Sequence, residues 1–392
     1  MISNARAFLA AVALALAPPA MAQTAYLVKD ITPGSPSPLG SNPDSMWSFQ
    51  GKVIFAADEA SSGRELWITD GNGSGTRLLA DLCPGTCSSG PRPLGTAHSL
   101  LFGIAFSYPP NGTPDSEPGY LWRSDGTREG TFLLPDPLKL VVLPLTGEDG
   151  NPVDDGSQVP IVFGTDAAYF AACNPSLQKC GAWRTDGSVS GTVKLNELPS
   201  GRPSDLTLAG ARLFFASYQQ LWSSDGTPGG TTAIKQFPNG TPRRLAALGN
   251  KVLFLVPAAA PGTGEELWVT DGTAAGTLAL TSFEATAPFQ QTHFLKTLGD
   301  RVYFVADDVT HGAEIYASDG TTAGTVRITD FGFNNPFGWD SRFNDTGLFA
   351  SQISKLGNRL IFWATDGIHR YQPWSNLGTL ASTTSLCAGC AF

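Results

Sequence analysis

Charge is scarce in this chain. Asp, Glu, Lys and Arg make up 15% of the 392 residues, and there are four histidines and three methionines. The formal net charge of -9 excludes the basic stripe that displaces counterions from nucleic acid. That acidic balance leaves cationic ligands and metal ions open. Long apolar runs are missing as well. The one stretch that stands out, residues 7–17, follows Arg6 and ends at Pro18 and Pro19, too short to span a bilayer. The small residues Ala20 and Ala22, on either side of Met21, complete the pattern of an export signal over residues 1–22, with cleavage near Ala22. No helical period is sustained after it. There is no G-x-S-x-G elbow, no phosphate-cradling glycine loop, and no metal-ligand spacing among His98, His293, His311 and His369.

Glycine (44) and proline (29) are abundant instead, as many short strands joined by tight turns require. One motif recurs six times: ELWITDGNGSGT (65–76), YLWRSDGTREGT (120–131), AWRTDGSVSGT (182–192), QLWSSDGTPGGT (220–231), ELWVTDGTAAGT (266–277) and EIYASDGTTAGT (314–325). A degenerate seventh, IHRYQPWSNLGT (368–379), sets Tyr371 against the tryptophans. The turn aspartates Asp70, Asp125, Asp186, Asp225, Asp271 and Asp319 stand 39 to 61 residues apart, close to the length of a four-stranded blade. Alternating apolar positions and Gly-Asn or Asp-Gly corners predict four strands per repeat. The expected architecture is therefore all-β: a single β-propeller domain over 23–392, of about seven four-stranded blades in a closed ring.

Within such blades, the ring at Trp67 and its counterparts is expected to fill the gap between neighbours, and the turn aspartate to accept backbone N–H groups. Two segments compete for the outer strand of the last blade: residues 26–31 near the N-terminus, which would fasten the two chain ends in one sheet, and residues 380–386. The six cysteines form three close pairs, Cys83 with Cys87, Cys173 with Cys180, and Cys387 with Cys390, as local disulfides in an oxidising compartment would. The terminal CAGC lacks the following helix that activates a redox thiol.

The six copies resemble the ELWxxDGT repeat family of exported bacterial proteins, also called hyalin-like, over residues 26–379. The resemblance implies a propeller-type repeat fold and a secreted, extracellular or periplasmic location. It brings no catalytic residues and no ligand residues. Glu is missing from the second, third and fourth copies, Tyr316 replaces Trp in the sixth, and the seventh has lost its DG.

In an up-and-down blade the first and third turns share one face, and all longer connections leave by the other. Long loops on one face of a rigid scaffold are where binding resides. These loops carry Tyr108, Asp307, Asp308, His311, Trp339 and Asp340 as candidate ligand residues, an aromatic platform among acids. The expected function is a secreted, monomeric, non-catalytic binding module for carbohydrate or an extracellular protein, with calcium as the one ion such acids would suit. A structural or adhesive component is the alternative, and a polysaccharide hydrolase a more distant one: the adjacent acids alternate sides along a strand and make a poor catalytic pair.

Overall fold

The computed structural model describes residues 27–33, 40–106, 119–134, 161–174, 179–198, 201–258, 264–284, 295–308, 311–331, 353–364 and 372–386. Among these, 28 strands form seven four-stranded antiparallel sheets. Each sheet is a meander in which consecutive strands pair, and the sheets follow one another along the chain at 44–80, 92–133, 161–194, 204–236, 243–284, 295–327 and 354–385. We number them sheet 1 to sheet 7.

Sheet 5 shows how the residues produce a repeat. Its strands are Arg243–Leu248, Lys251–Pro257, Gly264–Thr270 and Leu278–Glu284. Gly249 takes φ +62° in the two-residue turn after the first strand, where a side chain would be strained. The alternation of the second strand then decides the packing. Leu253 and Leu255 lie with sheet 6 residues such as Phe304, whereas Val252, Phe254 and Val256 lie with sheet 4 residues such as Phe214. Both faces are thus apolar, and both are covered.

Aromatic rings make the junctions. The motif ring on each third strand lies directly across from a second-strand residue, and in sheets 4, 5 and 6 the two rings stack: Trp222 on Phe215 at 5.9 Å, Trp268 on Phe254 at 6.5 Å, Tyr316 on Phe304 at 5.6 Å. A residue at or just beyond the end of the preceding sheet then packs edge-on against that pair. Phe237 meets Trp268 at 5.2 Å, Phe283 meets Tyr316 at 5.1 Å and Phe331 meets Trp374 at 5.0 Å. Leu198 and Leu82 join the corresponding clusters of sheets 4 and 2. The expectation that the motif ring fills the space between repeats holds.

Two details differ from, or decide between, sequence expectations. In the last sheet Trp374, not Tyr371, stands opposite Phe362, so the seventh copy reads QPWSNLGT, with Gln372 at the Glu position and Leu377-Gly378 at the DG position. Gly378 keeps the φ of +92° that its counterparts Gly71 (+90°) and Gly272 (+94°) have. The lost Asp hid the register, because the closing GT and the turn GT look alike. The fourth strand of sheet 7 is Thr384–Ser385, which lies in the later of the two competing segments. Residues 27–30 form no strand. Ile31 packs instead on sheet 1, against Phe55, Ala57 and Trp67, while the Lys29 ammonium lies 5.9 Å from the Trp67 ring and donates to the Thr76 carbonyl at 2.7 Å.

Phe283 is 7% exposed, so Phe283→Ala is expected to cost about 3–5 kcal/mol of stability. Chemical denaturation measures this; a loss comparable to that of an exposed-residue substitution would contradict the role given to the ring.

Candidate functional site

Three sets of residues bear on function: the repeat carboxylates, the corners from which the longer connections leave, and the loop residues named from the sequence. The turn aspartates come first. In sheet 5, Asp271 Oδ1 accepts the Thr273 N–H at 2.9 Å and its hydroxyl at 2.7 Å, and Gly276 N–H donates to Thr273 Oγ1. The Thr270 and Thr277 hydroxyls meet at 2.8 Å beneath the turn. The same bonds recur around Asp125, Asp186, Asp225 and Asp319, and around Asp70 the Asn72 N–H replaces the Thr pair. The hydroxyl bond holds the Asp271, Asp225 and Asp319 carboxyls below the usual carboxylate range. A Cβ on Gly276 would stand 2.1 Å from Asp271 Oδ1, which explains why the motif ends in Gly-Thr. The aspartate is engaged in its own turn, as its Asx geometry requires.

The Glu of ELW has a role that the sequence did not reveal. Glu65 is fully buried, and it accepts the Leu82 N–H at 2.8 Å, the Ser89 N–H at 2.9 Å and the Ser89 hydroxyl at 2.6 Å. Glu314, equally buried, accepts the Phe331 N–H at 2.7 Å and the Thr329 hydroxyl at 2.6 Å. Each carboxylate therefore holds the backbone where Leu82 or Phe331 plugs into the next sheet. In both copies the Glu stands 17 positions before that apolar residue; Glu266 stands 17 before Phe283 as well, but it is half-buried and accepts the Trp268 indole N–H at 2.8 Å instead. Burial pushes the Glu65 carboxyl up to about 7 against its donors, and raises Glu314 likewise.

The corner between the second and third strands faces the side from which the sheet-to-sheet connections also leave. It is braced by different chemistry in different sheets. In sheet 1 the Arg64 guanidinium binds Asp58 at 3.0 Å and also Asp44 on the first strand. The equivalent positions in sheet 3 are Cys173 and Cys180, which are disulfide-bonded. In sheet 5 Glu265 takes the place of Arg64 and pairs with Arg243 on the first strand, the charges exchanged. The Cys83–Cys87 disulfide closes a loop beside the same corner of sheet 1, where its Cys87 carbonyl would touch a Cβ on Gly63 at 2.2 Å.

The six loop candidates are distributed unevenly. Asp307 and Asp308 end the second strand of sheet 6, opposite Ala313 and Gly312, and Asp307 stands at the repeat position of Asp58. His311 follows in the turn, half-buried. These three share one corner. Tyr108, Trp339 and Asp340 lie outside the described residues, as do Cys387 and Cys390. Among the described residues no group of three His, Cys, Asp or Glu side chains could hold a metal ion, and no helix is long and apolar enough to cross a membrane.

No family model matches the chain, and no curated protein does. Solved structures similar to it include a computationally designed protein (12% identity, 86% of this chain and 84% of that one, TM-score 0.41). They also include the β-propeller domain of the Trilobed protease from Pyrococcus furiosus (10%, 88% and 94%, 0.36) and an oligogalacturonate lyase in complex with manganese (12%, 84% and 86%, 0.41). At this level of likeness no activity or ligand carries over.

Two outcomes follow from the carboxylates. Gly276→Ala is expected to cost about 1–3 kcal/mol through the clash with Asp271, whereas Gly229→Ala in the equivalent turn of sheet 4, with open space around it, leaves the denaturation midpoint unchanged. For Glu65, the folded state keeps a proton between the ordinary 4.5 and about 7, so its contribution to stability is complete below 4.5 and falls as pH rises to 7. The difference in melting temperature between wild type and Glu65→Gln should shrink over that window and stay constant above it. A difference independent of pH would mean that Glu65 is ionised throughout.

Proposed function

We propose that this chain is a secreted, closed seven-bladed β-propeller whose face of long connections binds a carbohydrate or an extracellular protein without chemical turnover. The observation that carries this reading is how the repeat residues are used. The motif rings, turn aspartates and buried glutamates are engaged in packing and backbone hydrogen bonds, whereas the longer connections leave from the side where salt bridges and a disulfide brace the corners of sheets 1, 3 and 5. A rigid rim under variable loops is the arrangement of a binding face.

Closure of the ring is supported by sheet 1. Phe55, Ala57 and Trp67 occupy the positions by which Phe304, Ala306 and Tyr316 pack on sheet 5, and they are 6%, 0% and 4% exposed although no sheet precedes them among the described residues. In a closed ring the partner of that face is the side of sheet 7 turned away from sheet 6, which carries Ile361 and Trp363, the latter 47% exposed. Ile31 occupies the linker position that Phe331 fills before sheet 7, so residues 27–31 act as the last linker of the circle. The two disulfides fit an oxidising compartment, in line with the export signal read from residues 1–22.

Deleting residues 24–32 is expected to lower the melting temperature by several degrees; an unchanged melt would remove the linker role. For the ligand, the mature chain is applied to a glycan and polysaccharide array with calcium and then with chelator. Specific binding that Trp339→Ala weakens, with the melt unaltered, supports a carbohydrate site on the long-connection face. A blank array from folded protein shifts the reading to a protein ligand.

A further inference from the structure

The opposite face carries a second feature. An open cleft of about 470 Å³ lies where the first hairpin turns of sheets 1, 2 and 3 come together, within the size range of small-ligand sites. Gln50, Thr96, His98, Ser99 and Thr165 line it over an apolar floor to which Phe49 contributes. These turns are held to one another: Gln50 Nε2 donates to the Ser99 carbonyl at 3.3 Å, and the His98 N–H donates to the Thr165 carbonyl at 2.9 Å.

The backbone marks the same place. In sheets 4 to 7 the first turn opens with a glycine at positive φ: Gly210 (+58°), Gly249 (+62°), Gly299 (+73°) and Gly357 (+60°). Sheets 1 and 2 put side chains there instead, Gln50 at +48°, then His98 at +50° followed by Ser99 at +60°. A left-handed residue with a Cβ costs stability that glycine would save, and such strain persists where the side chain serves a purpose. These strained side chains all line the cleft, whereas the glycine turns lie elsewhere.

We propose that this cleft is a binding site for an uncharged sugar, separate from the long-connection face and independent of what that face binds. The lining offers an amide, an imidazole and several hydroxyls, which both donate and accept, and it contains no carboxylate, ammonium or guanidinium. That inventory matches the alternating hydroxyls of a neutral pyranose, and the apolar floor matches its C–H face. An anionic or cationic ligand would find no counter-charge among the lining side chains, apart from the imidazole.

The test is a titration of the isotope-labelled mature chain with the methyl glycosides of glucose, galactose, mannose and N-acetylglucosamine, read from the imidazole signals of His98. Glucuronic acid and glucosamine serve as charged counterparts. At least one neutral glycoside should shift His98 saturably, with a dissociation constant of about 1 mM or tighter. His98→Gly and Gln50→Gly should each weaken it by about tenfold, read from amide signals, while the melting temperature stays the same or rises because strain is relieved. No saturable shift from any neutral glycoside, equal or tighter binding of the charged sugars, or unchanged affinity in both glycine variants would overturn the assignment. Lower melting temperatures in both variants would overturn the strain argument on which it stands. Trp339→Ala leaves this titration unaltered, so a failure here is distinct from a failure of the long-connection face.

Discussion

A four-stranded sheet with two apolar faces cannot stand alone, and that constraint governs the rest of this molecule. In sheet 6, Val302 and Phe304 face one neighbour while Tyr303 and Val305 face the other. Hydrophobic burial is proportional to area removed from water, so each sheet gains most when it is covered on both sides. A stack of such sheets always leaves two end faces. A chain can cap them with polar residues or bring them together, and the first sheet meets its own end face with apolar residues, Phe55 and Trp67, that are buried.

The repeated motif follows from the same constraint. The aromatic ring supplies the area, stacking on a second-strand ring and receiving the edge of a linker residue, the offset geometry that ring quadrupoles favour. In sheets 1 and 6 the Glu fixes the linker backbone beyond the sheet, and it stays buried only because several donors compensate for the lost water. Asp, Gly and Thr close the third turn with side-chain bonds that need no neighbour. Conserving such letters from copy to copy keeps the sheets stackable. The segments between copies are free of these demands.

This division explains what could be read from the sequence and what could not. The seven repeats, four strands each, and the role of the ring and the turn aspartate were legible because they depend on local alternation and turn chemistry. The function of Glu65 was not, since its partners Leu82 and Ser89 lie 17 and 24 residues away and are set by how one sheet meets the next. The seventh register was misread by three residues, Tyr371 for Trp374, because without the aspartate two Gly-Thr pairs compete as the landmark. The cleft of Gln50 and His98 escaped notice for a different reason. Positive φ at His98 and Ser99 is invisible because neither Gly nor Asn announces it, and Gly51 marks its turn without showing that Gln50 shares the left-handed conformation.

The corner between second and third strands shows how the scaffold accepts variation without losing shape. One site in the repeat holds an Arg–Asp pair in sheet 1, a disulfide in sheet 3 and, with the charges exchanged, a Glu that reaches Arg243 in sheet 5. None of these preserves a side chain of another, yet all three tie strand ends together at the same corner of the repeat. Loop-closure entropy rises only slowly with length, so insertions there cost little once the strand ends are fixed. The brace is therefore what must be kept, by whatever chemistry each copy has to hand. Rigidity at the corners and freedom in the loops are consequences of one arrangement.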